Sequence, residues 1–284
     1  MNIKLFILIL ITLFFFSTSS VLARAALEQN YIDAFSFTFF RLFSGSIVLL
    51  VILFIRDKKL KISLNKNWIS SFMLFLYAIA FSYSYLNLDA GIGALILFAV
   101  VQLFIILIAL LKKEKLTTQK SIGILIAFLG LSYLLFPEDS FTLSFFHVFL
   151  MIISGLAWGA YTILGKNSND ALYHTADNFT KTIIFTVIFY LLFVSQTNIS
   201  FNGIVLAIIS GGITSSLGYL TWYYILPQIQ IITSGIIQLI VPPIAIFLGV
   251  ILLNEELTFK LFISTDIILT GIAIAILSRP KKIN

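Results

Sequence analysis

The feature that most restricts this chain is a pattern that recurs from residue 3 to residue 278. Runs of about 20 apolar residues, long enough to cross the hydrocarbon core of a bilayer, follow one another with only short polar breaks between them. None of these breaks has room for a soluble domain. The runs are continuous and not alternating, which speaks against a β-barrel, and a segment in lipid must satisfy its own backbone hydrogen bonds. We therefore expect an all-α integral membrane protein with ten transmembrane helices, near residues 3–23, 34–55, 68–87, 91–111, 120–136, 144–165, 179–195, 203–224, 229–253 and 259–278. Asp33, Asp89, Thr118, Ser144, Asp177 and Thr258 stand just before apolar runs and are expected N-caps.

Composition agrees. Hydrophobic residues fill 60% of the 284 positions and charged residues only 11%, against about a quarter charged in a soluble domain. With no cysteine, disulfides, thiol catalysis and Cys-based metal sites are all excluded, and His147 and His174 are too few for a metal cluster. No cofactor is expected. There is no G-x-x-x-x-G-K-[ST] loop for direct ATP drive, and no H-E-x-x-H or Ser–His arrangement in a span for an enzyme.

The net charge of +6 does not point to nucleic acid, because its placement follows a membrane. With the N-terminus cytoplasmic, the inner segments hold Lys4, Arg56, Lys58, Lys59, Lys61, Lys66, Lys112, Lys113, Lys115, Lys120, Lys166, Arg279, Lys281 and Lys282. The outer segments hold Arg24 and Lys260 against the acids Glu28, Asp33, Asp89, Glu138, Asp139, Glu255 and Glu256. Short loops rich in Lys and Arg stay inside, so both termini are expected in the cytoplasm and the protein in the plasma or inner membrane. The first run also reads as a secretory signal, with Lys4, an apolar stretch and small residues before a cleavage site near Ala23. Retention is preferred, because the second half supplies five spans and a matching first half needs this one.

Two short words reveal that halving. "KKEKLT" at 112–117 returns as "LNEELT" at 253–258, with Glu114, Leu116 and Thr117 falling on Glu255, Leu257 and Thr258, and Gly130 on Gly271. Residues 1–139 and 140–284 are thus expected to be two repeats. Five spans is an odd number, so the second repeat enters the membrane upside down, and its loop loses the lysines it would otherwise carry to the outside. Inverted repeats are a recurring transporter architecture with a site near the midplane.

These residues resemble an EamA-type transporter of the drug/metabolite transporter superfamily. The family pattern of a proline, a Glu-x-Leu-Thr turn and a glycine-bearing last helix is matched by Pro243, Glu255, Leu257, Thr258 and Gly271. The first half matches at Glu114, Leu116, Thr117 and Gly130, but has Gln102 where the proline would stand. "TFFRLFSGSIVLL" and "SGLAWGAYTILGK" extend the likeness over nearly the whole chain. It implies ten helices and transport of a small solute; the substrates of such proteins span many classes.

Charges within spans are costly and usually face a cavity or a partner. Arg41 is expected about 10 Å below the outer surface by helical rise, with Lys181 at its counterpart position in the second repeat. Both would attract a carboxylate or phosphate. The alternatives are that Arg41 pairs with Asp33 or Glu28 and that Lys181 reaches cytoplasmic water. Trp158, Tyr161, Tyr219, Gln102, Asn178 and Gln238 are expected to add stacking faces and fixed hydrogen bonds, whereas Tyr83, Tyr85, Trp222 and Tyr223 suit an interfacial belt. Pro242 and Pro243 should break the ninth span and supply a hinge. Asp266 is a candidate for proton coupling, though on a peripheral helix, and Glu114 and Glu255 read as solvated loop residues.

The expected function is a secondary transporter moving a small metabolite or drug-like solute, anionic or zwitterionic, by alternating access. A lipid scramblase or a non-transporting membrane partner is the alternative. The expected partners are the solute and the lipid bilayer, with a homodimer left open.

Overall fold

The computed structural model describes residues 3–59, 62, 63, 65–111, 117–136, 144–194 and 196–277. The loop word at 112–116, which includes Glu114, and the basic C-terminal residues lie outside them. Among the described residues the protein is all helix: α1 (Ile3–Glu28), α2 (Ala34–Asp57), α3 (Trp68–Ser84), α4 (Ala90–Leu111), α5 (Thr118–Leu135), α6 (Phe145–Gly165), α7 (Ala171–Phe193), α8 (Phe201–Ile209), α9 (Ser216–Ile225), α10 (Ile231–Gln238), α11 (Val241–Leu253) and α12 (Phe259–Leu277). Seven of the continuous helical stretches are long and apolar enough to cross a membrane, the α8–α9 and α10–α11 pairs each counting as one, and α3 is a shorter apolar helix.

Two of these stretches are irregular for identifiable reasons. Between α8 and α9 the residues Ser210–Ser215 form a π-helical turn that carries Gly211 and Gly212. A Cβ at Gly211 would run into the Arg41 carbonyl, so only glycine lets the turn lie against the α2 backbone. Between α10 and α11 the helix breaks at Leu239 and Ile240, because Pro242 and Pro243 lack the N–H groups that would continue it. The Ser17 hydroxyl of α1 donates to the Val241 carbonyl at 3.1 Å beside this break.

The helices pack around a centre built from α1, α2, α3, α6 and α9, with α2 against α7, α3 against α6, and α1 against α9 and α11. Helices α5 and α12 pack chiefly on each other, where Gly123 and Gly271 allow backbone contact, and touch the rest through α4 and α10. One face carries the Arg56–Asp170 ion pair. On the other, Asp33 caps α2 through the Ser36 N–H and receives the Asn198 N–H, while residues 31–33 pair with 198–200.

Three expectations about elements are corrected. Helix α7 begins at Ala171, capped by Asp170, so Asp177 lies inside the helix and is not its cap. Helix α5 is capped by Thr117, not Thr118, through the Lys120 N–H. Trp222, Tyr223 and Tyr85 do not form an interfacial belt; all three are at most 1% exposed, because the helices that carry them turn these rings inward.

Candidate solute-binding site

Arg41 sits in the second turn of α2, and every element around it comes from elsewhere in the chain. Its Nε donates to Ser215 Oγ of the π turn at 2.9 Å. Its Nη2 donates to the phenols of Tyr77 on α3 and Tyr219 on α9, at 3.1 and 2.7 Å, and Tyr219 donates to Tyr77 at 3.0 Å. The guanidinium lies 4.7 Å from the centre of the Phe81 ring. The side chain is 1% exposed and Nη1 has no hydrogen-bond partner. No carboxylate among the described residues pairs with it: Asp33 is engaged at the α2 cap and Glu28 pairs with Arg24.

Beside the guanidinium lies an aromatic box. Trp158 of α6 stands 5.2 Å from Phe16, 4.9 Å from Tyr77, 5.5 Å from Tyr161 and 4.8 Å from Tyr219, by ring centres. Its indole N–H donates to Gln238 Oε1 at 2.6 Å, and Gln238 Nε2 donates back to the Ser234 carbonyl in the last turn of α10 before the proline break. Tyr77, Phe81, Trp158 and Tyr219 line a cavity with Phe16, Ser19, Ser20, Leu97 and Phe98. It measures about 10 Å³, room for about one water. A wider recess of about 650 Å³ opens on the Arg56 face between α1, α2, α7 and α9.

The other expected residues divide. Asn178 joins the edge of the box, near Tyr161 Oη at 3.5 Å and Ser71 Oγ at 3.4 Å. Lys181 does not join it. Its Nζ pairs with Asp177 Oδ2 at 2.7 Å and donates to the Lys66 carbonyl at 2.5 Å, while Asp177 accepts from the Ser63 N–H and Asn67 Nδ2. Gln102 borders a separate groove of about 30 Å³ between α4, α5, α10 and α12, with its buried Oε1 unpartnered against Gly235. Asp266 is exposed on α12.

Glu255 is not a solvated loop residue. Its side chain is 9% exposed, its Oε1 accepts the Ala90 N–H at 2.7 Å at the start of α4, and Arg24 Nε lies 3.9 Å away. Burial pushes its carboxyl up to about 7, with Asp89 adding to the shift and Arg24 opposing it. Arg24 also pairs with Glu28 and Asp89, so this cluster ties α1 and α4 to the α11–α12 loop.

The EamA-like transporter family matches residues 3–136 and again residues 145–277. The chain belongs to that family. An uncharacterized protein of Pseudomonas aeruginosa is 41% identical over 264 residues, covering 93% of this chain and 91% of its own. An uncharacterized transporter of Archaeoglobus fulgidus is 27% identical, covering 73% and 77%, and the uncharacterized transporter YoaV of Bacillus subtilis is 23% identical, covering 83% and 85%. A solved crystal structure of a protein superposes over 96% of this chain and 98% of its own, with a TM-score of 0.69 and 17% identity, which is a likeness of fold.

This EamA-family chain is therefore an integral membrane protein of transporter type, and the family points away from an enzyme. Sequence reasoning missed Tyr77, Phe16, Ser215 and Asp177 in this arrangement. Asp177 was open to detection, since it stands four residues before Lys181 on one helix face. Nothing in the residues around Tyr77 or Phe16 distinguishes them from other aromatics in apolar runs.

Proposed function

We propose that the protein is a secondary transporter that moves a small anionic or zwitterionic solute across the cytoplasmic membrane by alternating access. The observation that carries the reading is Arg41: a buried guanidinium with an open Nη1 and no paired carboxylate among the described residues, beside an aromatic cavity lined by α1, α3, α4, α6 and α9. Leaving a charge so is expensive unless a ligand supplies its partner. Arg41, Trp158, Tyr161, Asn178, Tyr219 and Gln238 form the proposed solute site; Gln102 faces the separate groove beside α5 and α12 and is left out of it. Lys181, as one half of an ion pair, acts through the helix contacts it holds.

The reading includes ten crossings in two inverted five-helix repeats, residues 1–139 and 140–284, with both termini cytoplasmic. Supporting it, the offset that carries Glu114 onto Glu255 also exchanges two contacts between α5 and α12. Gly130 packs on Ile268 where Gly271 packs on Ala127, as a two-fold axis in the membrane plane would require. The π turn and the Pro242–Pro243 break lie next to the site and are the proposed hinges. Purified protein in proteoliposomes loaded with a broad metabolite extract should release one class of solute saturably. Arg41→Ala and Trp158→Ala should each lower that flux at least tenfold, about 1.4 kcal/mol. Equal flux in both variants would remove the site.

A further inference from the structure

Three arginines lie among the described residues, and their partners differ in kind. Arg24 pairs with Glu28 and Asp89 and faces Glu255; Arg56 pairs with Asp57 and Asp170. Arg41 alone is held entirely by neutral hydroxyls. A guanidinium has five N–H donors, one on Nε and two on each terminal nitrogen. Ser215, Tyr77 and Tyr219 use the three on Nε and Nη2, so both donors of Nη1 remain. The site thus carries one net positive charge and one open edge suited to an oxyanion.

The surroundings limit which anion can answer that charge. The cavity lining holds no carboxylate and no cation; Arg41 lies directly behind its Tyr77, Phe81 and Tyr219 wall, and the polar groups of the lining are the hydroxyls of Ser19, Ser20, Tyr77 and Tyr219 and the Trp158 indole N–H, which Gln238 occupies. A monoanion would make the buried site neutral. A dianion such as a phosphate monoester would leave one uncompensated negative charge in an apolar box, at a heavy desolvation cost. A zwitterion would bring an ammonium with no carboxylate to receive it, only neutral hydroxyls and ring faces, close to a guanidinium that repels it. The rings of Phe16, Phe98, Trp158 and Tyr219 offer a seat for a planar apolar body.

We infer that this cavity binds organic monocarboxylates with an apolar, preferably aromatic, body, the carboxylate on Arg41 Nη1 and the body against Trp158, and that it discriminates against zwitterions, cations and dianions. This rests on the proposed transport reading and narrows its solute class. The cavity here holds about 10 Å³, so the solute enters when the helices lining it part.

Four probes sharing one phenyl body separate the charges: 3-phenylpropionate as monoanion, phenylalanine as zwitterion, phenethylamine as cation and phenyl phosphate as dianion. Binding to the full chain in nanodiscs is read by quenching of tryptophan fluorescence, with Trp158→Phe identifying the share of the signal that comes from the box. The monoanion should bind saturably and at least about tenfold more tightly than the other three, and Arg41→Gln should abolish that preference while Arg41→Lys keeps part of it. Equal or tighter binding of phenylalanine, phenethylamine or phenyl phosphate overturns the inference. So does 3-phenylpropionate binding undiminished in Arg41→Gln, or no binding by any probe. If Arg41→Gln fails to fold, the ranking of the four probes on the unaltered chain decides alone. Proteoliposome flux separates the two readings. Binding of 3-phenylpropionate without its passage would defeat transport of that anion and leave the binding inference standing. Saturable passage of another solute with no 3-phenylpropionate binding would do the reverse.

Discussion

Arg41 and Lys181 are the two cations that the sequence singles out within spans, and both are buried, at 1% and 3% exposure. Their surroundings differ completely. Lys181 has Asp177 one helical turn away at 2.7 Å, and that carboxylate also gathers the Ser63 N–H and the Asn67 amide, so the pair fastens the segment before α3 to α7. Arg41 has hydroxyls, rings and an unused nitrogen. On the proposed reading, a buried cation with a carboxylate of its own is part of the scaffold, while one without is arranged for a solute. Depth in a span identifies neither role; the partner does.

The sharpest way to break this contrast is to remove the partner from the paired cation. Asp177→Ala strands Lys181 in a buried site and frees the Ser63 and Asn67 donors. We expect a loss of about 3–5 kcal/mol, read as a lower melting temperature in detergent, because breaking one side of a buried pair leaves an uncompensated charge. Replacing both partners, as Asp177→Asn with Lys181→Met, should recover most of it. Arg41→Gln should behave oppositely, with stability changed by no more than about 1 kcal/mol and solute binding lost, since no ion pair is broken. A larger loss of stability from Arg41→Gln than from Asp177→Ala would reverse the assignment of roles.

A smaller effect tests what holds Arg41 in place. Gly211→Ala sets a methyl group against the Arg41 carbonyl and Ser44 Oγ, whereas Gly212→Ala, one residue on, meets Val48 Cγ2 at 3.5 Å in ordinary contact. Overpacking of this kind costs about 1–3 kcal/mol. Gly211→Ala should lower thermal stability by that amount and weaken solute binding together, because the π turn also carries the Ser215 partner of Arg41; Gly212→Ala should do neither. Equal behaviour of the two would remove the close approach from the argument.

The sequence made the fold legible because lipid imposes one rule on every span: length, apolarity and internal hydrogen bonding. The helix break followed from Pro242 and Pro243, and Arg41, Trp158, Tyr219 and Gln238 could be singled out as polar or aromatic groups in costly places. Which of them meet could not be read, because contacts across the bundle depend on helix rotation, and near-uniform apolarity leaves no periodic signal to fix it. Gln102 and Gln238 are both amides within apolar runs, yet one borders the groove beside α5 and α12 and the other holds the Trp158 indole. The partner of Lys181 escapes the sequence for a local reason: an apolar run that starts at residue 179 makes Asp177 read as a cap, whereas α7 begins at Ala171 and carries Asp177 one turn before Lys181. The π turn left no trace beyond "SGGITS", whose small residues are compatible with regular helix as well.

Glu255 sharpens the comparison from a third position, with the weakest expected effect. Like Asp177 it has a cation nearby, but it lies in a loop at the bundle's end, where burial outweighs Arg24 and holds its carboxyl up near 7. A carboxyl raised in this way takes up a proton in the folded protein between its ordinary range, near 4.5, and about pH 7, while the unfolded chain has already lost that proton. The folded state is therefore favoured at the acid end of that window, and stability falls as pH rises through it, levelling off above about pH 7. Melting temperatures measured from pH 5 to pH 8 should decline by a few degrees in the native chain. Glu255→Gln cannot ionise, keeps an acceptor for the Ala90 N–H, and should flatten the profile, while Glu256→Gln should leave it unchanged. A slope that persists in Glu255→Gln would remove Glu255 as its source. A slope of opposite sign would mean that Arg24 holds Glu255 ionised, which would place this pair with Asp177 and Lys181 as scaffold.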